Sequence, residues 1–240
     1  MKDLFRRWLR GRDRAMDDDV DAARAWAEGQ GWRFARARSA AGFAIETGAL
    51  RVEWGPPQRS YIEPMELRVR AELGGLGDLQ LMVLSRALAK VLEAEVFEQA
   101  TEDNRTRVDD RTPEEMRWLV LYPKLPRADL GPLADHYTAL SNHRHAGAAW
   151  LDAAFRERLL ALAPRLAPGR PAVIAVHRGR LVLRLAVERP GVPELELATA
   201  LARAGASSAL AVAADLNAGR LDSSQASVWD ATALPPQSPP

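Results

Sequence analysis

The chain has 240 residues, 33 Lys and Arg against 32 Asp and Glu, and a formal net charge of +1; 47% is hydrophobic and 27% charged. That balance excludes a largely disordered chain, which carries fewer apolar residues and more net charge, and a nucleic-acid binder of the strongly basic type. The absence of cysteine excludes disulfides, thiolate zinc sites, cysteine nucleophiles and cysteine-held iron–sulfur clusters.

Residues 1–14 hold six basic residues and two acidic ones. Leu4, Phe5, Trp8 and Leu9 recur at helical spacing, with Lys2, Arg6 and Arg10 on the opposite side. Such a basic amphipathic segment is suited to weak contact with an anionic membrane surface, although ten residues alone are too few for a stable helix in water. The acidic run Asp17, Asp18, Asp19 and Asp21 predicts a helix starting there and running to about Glu28, because carboxylates suit a helix N-terminus.

Strands follow. Trp32–Ala37 is a weak one. Phe43 and Ile45 alternate with polar or small residues, as do Leu50, Val52 and Trp54, with Thr47-Gly48-Ala49 as the hairpin loop. Met65 to Leu73 alternates without a break, which predicts Leu67 and Val69 in the core and Glu66, Arg68, Arg70 and Glu72 in water. The interleaved signs over 31–73 predict cross-strand ion pairs.

From Asp78 to about Ala100, Leu81, Leu84, Leu88, Leu92 and Val96 fit helical spacing. Gly74-Gly75-Leu76-Gly77 therefore reads as a tight connection from strand to helix, without a phosphate-binding fingerprint. Thr112-Pro113-Glu114-Glu115 is a helix start, and 116–122 is open between helix and strand. Leu133, Tyr137 and Leu140 predict a short helix, and Leu151 to Leu162 a longer one. Ala172–Val176 and Leu181–Val187 predict a hairpin. Helices over Pro193–Ala204 and Ser207–Leu216 follow, then a Pro-rich tail expected to be disordered.

The fold class is α+β: an antiparallel β-meander packed with helices, plus a second α+β half containing a β-hairpin. The division is a basic tail over 1–17, halves over 18–110 and 111–228, and a tail over 229–240.

Chemistry is sparse. His136, His143 and His145 lie within ten residues and near Asp135. Converging imidazoles and a carboxylate could hold a metal ion, but this spacing matches no zinc signature. No G-x-S-x-G elbow occurs.

Phe155-Arg156-Glu157-Arg158-Leu159-Leu160, followed by Gly179-Arg180-Leu181-Val182-Leu183-Arg184-Leu185, resembles a helix-plus-hairpin element of uncharacterised bacterial proteins. Glu66-Leu67-Arg68-Val69-Arg70 with Val96-Phe97-Glu98 is similar to bacterial proteins of unknown function. The resemblance carries over no activity and no site residue.

The expected function is a non-enzymatic bacterial interaction or regulatory protein in the cytoplasm. Its expected partner is another protein, with no cofactor, no nucleic acid and no identifiable small-molecule ligand. One alternative is a metal-assisted, hydrolase-like enzyme using Asp135, His136, His143 and His145. Another is a peripheral membrane protein held through Leu4, Phe5, Arg6, Trp8, Leu9 and Arg10.

Overall fold

The computed structural model describes residues 2–37, 42–102, 113–166 and 169–221, with backbone alone for 2–15 and 99–102. Thr112 of the expected helix start and the tail over 229–240 lie outside the described residues. In chain order the elements are α1 (Lys2–Gly29), β1 (Arg33–Arg36), β2 (Phe43–Glu46), β3 (Leu50–Gly55), β4 (Glu66–Glu72), β5 (Leu81–Ser85), α2 (Arg86–Glu102), α3 (Glu114–Leu121) and α4 (Arg127–Leu130). Then come β6 (Tyr137–Ser141), α5 (Arg144–Trp150), α6 (Ala153–Leu162), β7 (Ala172–His177), β8 (Arg180–Ala186) and α7 (Val192–Asn217). The class is α+β.

The eight strands among the described residues form one antiparallel sheet in the order β1-β2-β3-β4-β8-β7-β5-β6. The meander β1–β4 is the one expected from alternation. Its last strand pairs with β8, Leu67 facing Leu185 and Val69 facing Leu183, so strands from both stretches of the sequence build a single sheet.

One face of the sheet carries Ile45, Val52, Leu67, Val69, Leu181 and Leu183, all buried. It packs on α7, whose Leu195, Ala198, Leu201 and Ala202 are fully covered. By length and composition α7 is apolar enough to cross a bilayer, yet 56% of its apolar window is buried inside the fold, as befits a core helix. It is one unbroken helix where two were expected. Gly205 lets it approach α6: a Cβ there would lie 3.0 Å from the Phe155 ring. The Trp150 indole N–H donates to the Gly205 carbonyl (2.8 Å), and the Ser208 hydroxyl donates to the Trp150 carbonyl (2.7 Å).

Among the described residues, the other face carries an apolar core over β5, β6 and β7 only. There Met82, Leu84, Leu140 and Val173 pack against Leu88 and Leu92 of α2 and Met116 and Trp118 of α3. This explains two corrections. Leu81-Met82-Val83-Leu84 begins no helix: Leu81 and Val83 enter one core and Met82 and Leu84 the other, so the strand is apolar throughout, and a continuous apolar run fits either helix or strand periodicity. Gly74–Gly77 accordingly joins strand to strand. Tyr137 and Leu140 likewise lie on a strand, with only a 3-10 turn over Gly131–Asp135 before it.

Two further expectations change. α1 runs without a break from Lys2, so the acidic run lies inside it and does not start it. The 116–122 segment is helical in α3 up to Leu121, and α6 is capped by Asp152, whose carboxylate accepts from the Phe155 N–H (2.8 Å).

Candidate functional site: a charged trough on the uncovered sheet face

Over β2, β3, β4 and β8 no helix among the described residues packs on the second face, and its side chains are charged. Register aligns them in rows across the strands. Glu53 faces Arg68, which faces Arg184; Glu46 faces Arg51, which faces Arg70; Glu72 faces Arg180, which faces His177. The expected cross-strand ion pairs are present. Arg51 reaches Glu46 at 2.6 Å, Arg68 and Arg70 reach Glu53 at 2.8 and 2.7 Å, and Arg180 reaches Glu72 at 2.7 Å.

The expectation that Glu66 and Arg68 face water is overturned. Glu66 is 2% exposed and Arg68 8%. Arg184 and the Gln58 N–H (2.7 Å) donate to the Glu66 carboxylate, and Arg68 sits 3.4 Å from it. The cause is Arg184, arriving from β8 in register, together with Glu115 lowered from α3. Glu115 is 5% exposed and takes both contacts of Arg59 at 3.1 and 3.2 Å. The network thus replaces the apolar core that covers the other half of this face. A buried charge is tolerated only when paired and hydrogen-bonded.

The electrostatics follow the geometry. Burial would raise the Glu53 carboxyl, but hydrogen bonds from Arg51 and Arg68 hold it below its ordinary value. Burial would lower Arg59, and the Glu115 carboxylate raises it instead. Arg70 is lowered, first by burial and then, against the pull of Glu53, by Arg68, Arg184 and Arg51. The Tyr61 hydroxyl is pushed up by burial first and by Glu115 second.

Above this floor lie two adjoining hollows. One, of about 510 Å³, runs between β4, β8, β7 and α3 and is lined by five arginines (Arg59, Arg70, Arg178, Arg180, Arg184) against Glu114 and Glu115. The second, of about 560 Å³, shares Arg70 and Arg180 and extends over β3 and β2 to Arg33. His177 closes one end, with Nδ1 3.4 Å from Glu114 and its ring edge-on to Trp118 at 5.2 Å.

The histidine group is not assembled. His136 precedes β6 and His143 follows it, so a five-residue strand, roughly 17 Å long, separates them. His145 is exposed in the first turn of α5. Asp135 is bound to Arg127 at 2.8 Å, which holds its carboxyl below the ordinary value. Among the described residues no group of three or more His, Asp or Glu converges to hold a metal ion. For Leu4, Phe5, Arg6, Trp8, Leu9 and Arg10 the backbone is helical in α1 and the side chains lie outside the described residues.

The trough residues Arg59, Glu115, Arg178 and Arg184 were not singled out from sequence. Alternating charge on two strands was the available signal, but it identifies a shared face only once β4 and β8 are known to pair. Comparison with family models, curated proteins and solved structures finds no match to this chain.

Proposed function

We propose that this chain is a non-enzymatic interaction or regulatory protein of the bacterial cytoplasm that engages another protein through the charged trough. The observation that carries the reading is the charged half of the second sheet face: among the described residues no helix packs an apolar core over β2, β3, β4 and β8, and Arg51, Arg70 and Arg180 on those strands remain open to solvent above the buried Arg68 and Arg184. Interfaces favour arginine for its planar, multiply donating head group. The test is affinity capture from the source cell with the wild-type chain and with the double variant Arg70→Glu/Arg180→Glu. A partner held by the wild type should be depleted at least about tenfold with the variant, since a like-charge contact costs several kcal/mol at an interface. Equal recovery by both chains refutes the reading.

A second reading is favoured by α1. The basic amphipathic segment is the first half of a 28-residue helix, so its helicity does not have to be supplied by ten residues alone. We expect full-length protein to co-sediment with anionic vesicles at low salt and a variant lacking residues 1–14 to stay in the supernatant. Equal partition of the two rules out membrane contact through this segment.

A further inference from the structure

We infer that the trough takes an extended, acidic segment of the partner protein, with Arg178 as its anchor; this rests on the interaction reading above and specifies the partner's chemistry. Arg178 and Gly179 are the central pair of the β7–β8 turn, with φ of +50° and +71°. Such two-residue turns take Asn, Asp or Gly at the first position because it is left-handed. Gly179 is required: its Cβ would lie 2.1 Å from the Gly74 carbonyl oxygen, and its own carbonyl accepts from the Leu73 N–H at 2.7 Å. No such contact calls for arginine at 178. It is exposed, makes no ion pair among the described residues, and stands at the rim of the 510 Å³ hollow. A residue held in a strained conformation without a structural partner points to a ligand.

The floor is also short of negative charge. Arg51 lies directly opposite Arg70 and Arg68 opposite Arg184, where like charges repel. Glu53 is shared by Arg51, Arg68 and Arg70; Arg51 also has Glu46 and Arg68 also has Glu66, whereas Arg70 has no second carboxylate among the described residues, so its guanidinium keeps free N–H donors. Carboxylates are natural acceptors for that fork.

Shape selects a peptide. The two hollows together cross β7, β8, β4, β3 and β2, four steps of about 4.8 Å or roughly 19 Å, the reach of about six extended residues. A single phosphate would leave most of that length empty. Single-stranded nucleic acid needs aromatic platforms for its bases, and the lining holds no Phe, Tyr or Trp.

The experiment is calorimetric titration of the full chain with a hexaglutamate peptide, with pyrophosphate and with a short oligouridylate as competing probes. Hexaglutamate should bind one to one at about 20 mM salt and weaken several-fold by about 200 mM, as screening requires. Arg178→Gly, which preserves the turn, and Arg180→Ala should each weaken it about tenfold, and Arg158→Ala, on the exposed surface of α6, should leave it unchanged. Absence of peptide binding, tighter binding of pyrophosphate or oligouridylate, or an Arg178→Gly variant that binds like wild type each overturns the inference. If capture of a partner is lost in Arg70→Glu/Arg180→Glu while hexaglutamate does not bind, the trough remains the interaction surface and the acidic-segment assignment alone falls.

Discussion

Glu66→Ala is expected to destabilise the fold by about 3–5 kcal/mol, the cost of removing one partner from a buried ion pair. The carboxylate is the common acceptor of Arg184, Arg68 and the Gln58 N–H. Truncation leaves two guanidinium groups, 8% and 9% exposed, without that counter-charge. Chemical denaturation at pH 7 measures the loss. The control is the double variant Glu66→Leu/Arg184→Met, which exchanges the pair for apolar volume and should recover most of the stability. If Glu66→Ala costs less than about 1 kcal/mol, the network is solvated and the burial described above is wrong. The same network gives a pH signature. Glu53 is held below its ordinary value in the fold, so its contribution is fully present above the unfolded carboxylate value of about 4.3. It is lost as pH falls through the lower native value. The denaturation midpoint should therefore drop on acidification below about pH 4.3, and by less in Glu53→Gln.

Phe155→Ala should cost about 3–5 kcal/mol, as large-to-small core changes of aromatic residues do. The ring is 0% exposed, packs on Trp150 at 4.9 Å between centroids and fills the space that a Cβ on Gly205 of α7 would need. Truncation empties the space that holds α5, α6 and α7 together. Phe155→Leu, which keeps most of the volume, should cost clearly less. Equal losses for the two variants would show that the contact with Gly205 is not close-packed.

Legibility in the sequence followed the number of faces an element buries. β2, β3 and β4 each bury one apolar face, and their alternation marked them as strands. β5 buries both, so its run of four apolar residues joined the helical stripe of α2 and the boundary at Ser85–Arg86 was lost. β6 failed similarly: Tyr137 and Leu140 are three apart and satisfy helical spacing, although they enter different cores. The trough was hidden for another reason. Arg68 on β4 is alternation-compatible with a wet face, and only Arg184, more than one hundred residues later, and Glu115 from α3 turn that position into the interior. The histidine cluster was close in sequence and was pulled apart by the strand between its members.

The β4–β8 pairing also sets a schedule. During synthesis the meander β1–β4 is complete once residue 72 has left the ribosome, but its partner strand begins at Arg180. At about 5–20 residues per second, the β4 edge stands unpaired for roughly 5–20 s, its backbone groups open to pairing with another chain. β5, complete at Ser85, has a somewhat shorter wait for β7, which begins at Ala172. Newly made chains thus pass through a window of vulnerability that the finished molecule does not have. Arg68 and Arg70, crowded in the native sheet, are in that interval cations on an open edge, where charge discourages association between nascent chains.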